Sequence, residues 1–249
     1  MIVFPENYLH LDFEVFPWLA YGYGKHYEPI ICQEKYPKKI ICVAYCFGEG
    51  AVKFKAVWDF PGYRKGLTIN DYHLVKWIAE EILPKTDTVS GWNSDKYDLR
   101  VLYERMLHHN ISPPRKLKTN DGLKIYRKYF DNPTNKLGYV AEKYGEDGKI
   151  SHEGTSLYIE AGLGSEKHQK ILKTYNIQDT KITRERVRIG LEWDNRPNPI
   201  WENRVKCVCG GDMNKHKQRM LADGRSYTQY QCKSCGAYKK GQQIIEKVC

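Results

Sequence analysis

The sequence predicts an α/β domain, a sheet flanked by helices, followed by a small second domain. Three observations carry this. Strand-type alternation opens the chain and β-rich runs follow it; apolar stripes of helical spacing recur after them; and the last fifty residues turn basic and carry paired cysteines. A chain of 249 residues can bury one sizeable core with an appendage. Its 41% hydrophobic content is globular rather than disordered.

From Tyr8 to Glu14 apolar and polar residues alternate. On a strand, His10, Asp12 and Glu14 then share one face, while Leu9, Leu11 and Phe13 take the other. Phe16 to Pro37 has no clear period and reads as loop. Two β-rich runs, Lys39 to Phe47 and Ala51 to Trp58, flank Gly48-Glu-Gly50, so with the first strand they predict an antiparallel meander. Asn70 or Asp71 can cap a helix with a Leu74, Trp77, Ile78 and Ile82 stripe, stopped by Pro84. A short strand, Thr88 to Trp92, leads to a second helix with the stripe Leu99, Leu102, Tyr103, Met106 and Leu107. Asp98 stands at that junction, where a helix cap is the ordinary role. Beyond Pro113-Pro114 we expect a strand over Leu117 to Ile125, a helix around Leu137, Val140, Ala141 and Tyr144, and a surface loop from Gly145 to Gly164. Lys167 to Leu191 predicts a long helix striped by Leu172, Tyr175, Asp179, Ile182 and Ile189. An acid in that stripe needs a cation, a donor or an opening to water; Arg186 is the ordinary partner. Asp194 to Pro199 reads as a linker, giving domains 1–194 and 200–249.

Adjacent acids on one strand face, about 7 Å apart, repel unless a cation offsets their charge, and hard divalent ions prefer oxygen ligands. The acids also fall into motifs. Asp12-Phe-Glu14, Asn93 to Tyr97-Asp98, and Tyr175-x3-Asp179 stand in that order on strand, junction and helix. This resembles the three motifs of the DEDD (DnaQ-like) 3′ to 5′ exonucleases, which have the ribonuclease H-like fold with its mixed sheet. The resemblance covers roughly Tyr8 to Leu191 and fits the tyrosine branch, because Thr174 stands where the other branch needs histidine. It implies that Asp12, Glu14, Asp98 and Asp179 bind two Mg²⁺ or Mn²⁺ ions, with Asp12 bridging. It also implies that Tyr175 helps orient water and that the products are nucleoside 5′-monophosphates. Phe13 and Tyr97 occupy positions where the family stacks terminal bases, although core packing suits either equally, and Asn93 belongs to the second motif. His10 reads as a structural histidine, and Asp95 as solvated.

The tail carries Cys207-x-Cys209 and Cys232-x2-Cys235, each pair followed by Gly, around strand-like Ser226 to Gln231. Four thiolates so arranged form a tetrahedral site for one structural Zn²⁺, which so small a fold requires. The segment looks like a zinc ribbon. The first pair departs from the usual Cys-x2-Cys, leaving His216 or Cys249 as substitutes for Cys207. Cys32, Cys42 and Cys46 read as buried apolar residues.

Forty Lys and Arg against thirty Asp and Glu give a net charge of +10, and ten basic against four acidic residues from Ile200 onward place +6 of it in the tail. Lys215, Lys217, Arg219 and Arg225 are interleaved with Tyr227 and Tyr230, which suits a module that holds nucleic acid. The expected partner is a DNA or RNA 3′ end. No membrane span or export signal is read, so a cytoplasmic setting is expected. Two alternatives stay open: a ribonuclease H-like endonuclease on structured substrates, and a catalytically silent nucleic-acid-binding adaptor.

Overall fold

A computed structural model describes residues 2–22, 31–112, 117–145, 154–194, 207, 209, 213–221 and 226–244. The chain divides into two units, Met1–Asp194 and Asn195–Cys249. Of the expected linker only Asp194 lies within the described residues.

The first unit opens with β1 (Tyr8–Phe16), β2 (Leu19–Gly22), β3 (Ile31–Tyr36), β4 (Lys39–Phe47) and β5 (Lys53–Ala56). Helix α1 (Tyr72–Trp77) and β6 (Thr88–Gly91) follow, then α2 (Asp98–His108), β7 (Lys118–Asp121) and α3 (Gly122–Tyr129). Three more helices complete the unit: α4 (Leu137–Lys143), α5 (Thr155–Gly162) and α6 (Glu166–Trp193). Five strands form one mixed sheet in the order β5-β4-β1-β6-β7. The first three are antiparallel as expected, and β6 and β7 continue parallel to β1.

Strand β1 is therefore central and covered on both faces. Leu9, Leu11 and Phe13 enter the main core with Leu74, Ile78, Leu99 and Leu102. Each such burial contributes roughly 1.5–3 kcal/mol. The face of His10, Asp12 and Glu14 meets α6, where the Asn176 amide donates to the Asp12 carboxylate at 2.7 Å. This unit is compatible with the ribonuclease H-like arrangement. No helix among the described residues is long and apolar enough to cross a membrane.

Several elements differ from the sequence reading. The segment read as loop contains the antiparallel pair β2 and β3. Leu19 and Tyr21 are exposed there, and Glu34 and Lys35 of β3 are exposed too. The expected strand Leu117 to Ile125 stops at Asp121, whose carboxylate accepts the Leu123 and Lys124 amides and starts α3. The expected Gly145 to Gly164 loop contains α5, anchored by buried Leu157 and Ala161. It lies close because Gly162 has no side chain: a Cβ there would stand 2.4 Å from the Phe16 ring.

In α2, Tyr103 and Leu107 are exposed and Arg105 is buried instead. The reason is Asp71, which stands at the N-cap position of α1 but turns its side chain away from that helix. Its carboxylate takes Arg105 Nε at 2.8 Å and Nη2 at 2.9 Å, the His109 ring and the Ile40 amide. Asn70 meets the first turn of α1 instead, accepting from the Tyr72 amide at 3.0 Å. The apolar stripe continues past α1 through a π turn at Ile78–Ile82 and a 3-10 turn that includes Pro84. Ile189 of α6 is exposed, with Val187 and Leu191 buried beside it. Cys42 and Cys46 are buried; the side chain of Cys32 is outside the described ones.

The second unit holds β8 (Met213–Met220), β9 (Ser226–Cys232) and β10 (Tyr238–Ile244). They form an antiparallel sheet with β9 in the centre.

Candidate metal and catalytic sites

Two chain segments bring acids toward β1, which itself carries Asp12 and Glu14. Asp98 is the first residue of α2, and its Oδ1 accepts the backbone N–H of Phe13, the residue between Asp12 and Glu14, at 3.1 Å. It is thus not a cap for its own helix; Tyr97 holds that position. The α6 helix supplies Asn176 to both the carbonyl and carboxylate of Asp12 and, one turn apart, Tyr175 and Asp179 joined by a hydrogen bond. Glu14, Asp98, Asp179 and Tyr175 are buried, and Asp12 is half-buried.

The electrostatics reflect this crowding. Burial pushes the Asp98 carboxyl up to about 7, against the Phe13 amide, which favours the ion; the Asp121 charge adds to the rise. Tyr175 is held far above the ordinary tyrosine range, first by burial and then by the charges of Asp179 and Glu14. Its phenol therefore keeps its proton. Tyr158 of α5 is raised as well, by burial and then by Glu14, and its hydroxyl is hydrogen-bonded to Tyr175. Tyr97 is raised by burial, with Asp98, Glu14 and Asp12 adding to it. Cys42, opposite Glu14 on β4, is pushed well up by burial and by Glu14 and Asp12, so it stays an inert thiol.

Of the residues expected to touch nucleic acid here, Tyr97 is 40% exposed, whereas Phe13 is buried in the core on the opposite face of β1. Its side chain packs the sheet rather than meeting a base. Asn93 adopts a left-handed backbone, φ 67°, and its amide donates to Asp121 Oδ1 at 3.0 Å. Asp121 also accepts the Asp95 amide, so this buried acid braces the loop that carries Asp98. Asp95 is not simply solvated: it pairs with Lys124. His10 is fully buried, bonded to Ser90 at 2.6 Å and enclosed by Phe4 and Tyr8.

Tyr158, Asn176 and Asp121 were not singled out from the sequence. Asp121 left a usable signal, an acid before a helix start. Tyr158 left none, because the segment around it has no apolar period.

In the tail, Cys207, Cys209, Cys232 and Cys235 bring their four sulfurs within 4.8 Å of one another. A tetrahedron with Zn–S bonds of about 2.3 Å needs sulfurs about 3.8 Å apart, so this donor set fits such an ion. The Cys232 thiol is drawn down to about 6, first by the Cys235 amide, with the Ser234 amide 3.4 Å from its sulfur. His216 instead packs edge-on against Tyr238; Cys249 lies outside the described residues. The cluster is compatible with a zinc ribbon.

Among the described residues these cysteines are the only group of three or more His, Cys, Asp or Glu side chains spaced to hold an ion. The four acids Asp12, Glu14, Asp98 and Asp179 offer the hard oxygen donors that Mg²⁺ or Mn²⁺ prefers. Of the tail residues expected to hold nucleic acid, Lys217 and Arg219 are exposed and Tyr227 is half-buried, while Tyr230 packs on the cysteine cluster. Arg225 and the Lys215 side chain lie outside the described residues. No known family model matches this chain, and no curated protein matches it.

Proposed function

We propose that the first unit is a metal-dependent 3′ to 5′ exonuclease that releases nucleoside 5′-monophosphates, and that the tail is a zinc-stabilised module that holds the nucleic acid. One observation carries the reading: Asp98 bonds the β1 backbone between Asp12 and Glu14, Asn176 of α6 bonds Asp12, and the charges of Asp179 and Glu14 both act on the buried, protonated Tyr175. Charged carboxylates so buried are costly without a cation. Asp12, Glu14, Asp98 and Asp179 would hold the ions. When bound, two Mg²⁺ or Mn²⁺ ions would supply the positive charge that an anionic phosphodiester needs for attack by water and departure of its 3′ oxygen.

The chain's own residues have distinct tasks. Tyr175 keeps its proton and donates to Asp179, which suits it to orient water rather than act as a free base. Asn176 fixes the rotamer of Asp12. Tyr97, exposed beside Asp98, is available to bear against a terminal base. These roles need the loop before α2 held still, which Asp121 does through two backbone amides.

The test is hydrolysis of 5′-labelled DNA and RNA by the purified chain, with and without Mn²⁺. A ladder shortening from the 3′ end is expected, with Asp12→Ala and Asp179→Ala inactive but folded. Full activity in either variant would remove the site assignment. Cleavage of a circular single strand would favour the endonuclease, and no cleavage at all the silent adaptor.

A further inference from the structure

We propose that the outer face of the tail sheet, where Lys217, Arg219 and Lys240 surround Tyr227, Gln229 and Tyr238, is a binding site for single-stranded nucleic acid. This deepens the reading of the tail as a nucleic-acid-holding module and does not depend on catalysis by the first unit.

Strand register assigns the two faces. Residues directly opposite each other in an antiparallel pair share a face, and side chains alternate along a strand. On β9, Ser226 and Cys232 are buried, and Tyr230 packs with Cys207, Met213 and Cys232. That is the metal-side face. Tyr227, Gln229 and Gln231 therefore take the other. Opposite Tyr227 stands Arg219; opposite Gln229 stand Lys217 and Lys240; opposite Gln231 stands Tyr238. The sequence showed cations interleaved with aromatics but could not sort them by face. Lys239, next to Lys240, stands opposite Tyr230 on the metal side.

The contacts on the outer face are with neutral groups. Arg219 Nε donates to the Gln229 side chain at 3.2 Å, and the Lys240 ammonium lies 4.4 Å over the Tyr227 ring. Among the described residues of this unit there is no Asp or Glu. Three cations on one face, two of them beside an amide and an aromatic ring, suit a polyanion.

The shape favours a single strand. Tyr238 is 55% exposed, and an aromatic face can stack only on a base that is not already stacked in a duplex. The major groove of DNA, about 12 Å wide, admits a helix or a two-stranded ribbon. Three strands at about 4.8 Å spacing, with their side chains, are broader than that.

The experiment uses the full chain without added Mg²⁺ or Mn²⁺ and measures fluorescence anisotropy with labelled oligothymidylate, oligouridylate and a duplex of equal length across a salt series. Tighter binding of either single strand than of the duplex is expected, and the preferred one identifies the sugar. Lys240→Ala and Lys217→Ala should each weaken binding and lower the slope of log Kd against log salt by about 0.7. Tyr238→Ala should weaken it at least about 5-fold. Lys239→Ala removes the same charge from the other face and should leave most of the affinity. Zinc content equal to that of the parent chain checks that each variant is folded. Equal losses in Lys239→Ala and Lys240→Ala, or duplex binding as tight as single-strand binding, overturns the assignment. An Asp12→Ala chain that binds normally but does not cut separates this face from the exonuclease reading; a parent chain that binds but never cuts would sink only the latter.

Discussion

Replacing Asp98 by asparagine should make the metal-free protein more stable at alkaline pH, and the structure sets the size of the effect. Asp98 is 4% exposed, and burial raises its carboxyl from the ordinary 3.8 to about 7. At about 1.4 kcal/mol per tenfold, full ionisation of the folded site costs roughly 4 kcal/mol relative to the unfolded chain. The sign follows from which state holds the proton. Between the two values the folded state binds it and the unfolded state does not, so stability is complete below about pH 3.8 and is lost as pH rises through about 7. The carboxamide that replaces the acid in the Asp98→Asn variant cannot ionise. The stability gap in the variant's favour should therefore widen by roughly 2–3 kcal/mol between about pH 5 and about pH 8.5. Urea unfolding followed by tryptophan fluorescence measures it, since five of the six tryptophans (Trp18, Trp58, Trp77, Trp92 and Trp193) lie in the first unit. Mg²⁺ should restore part of the parent's stability at alkaline pH and little of the variant's. Parallel pH curves for the two proteins would show that Asp98 is not desolvated as described.

Three further outcomes are expected. Tyr158→Phe removes a hydroxyl bonded to Tyr175, so turnover should fall about 2- to 10-fold with little change in KM, and the double variant with Tyr175→Phe should be no slower than Tyr175→Phe alone; additive losses would separate the two tyrosines. Asp71→Asn removes the buried counter-ion of Arg105, leaving it the exposed Glu104 at 3.5 Å, and should cost about 3–5 kcal/mol in urea unfolding, whereas a loss below about 1 kcal/mol would mean that the pair is not buried as described. Atomic emission should find about one zinc per chain, lost in Cys235→Ser; retention of the metal in that variant would exclude Cys235 as a ligand.

Where one side of an element lies against a fixed neighbour, the residues themselves record it. The alternation from Tyr8 to Glu14 marked β1, the acid in an apolar stripe marked the buried position of Asp179, and two spaced cysteine pairs marked the sulfur cluster. Elements without that one-sided burial leave no such record in the sequence. The β2 and β3 ribbon is joined by backbone pairing with Leu19 and Tyr21 exposed, and α5 depends on Gly162 fitting beneath Phe16 from far along the chain. Likewise, Arg105 took an apolar-type position in α2 because Asp71, distant in sequence, waits there with a carboxylate.

By itself the sequence determined the element types with a strong period, the order of the acids along the chain, and the identity of the sulfur donors. Only the tertiary structure decided that Phe13 packs the core while Tyr97 stays open, that Tyr158, Asn176 and Asp121 brace the acids, and that Tyr227 and Tyr230 look to opposite sides of the tail sheet. The division is physical: periodicity is a local property of a chain against one surface, whereas a hydrogen bond between residues far apart in sequence exists only once the chain has closed on itself.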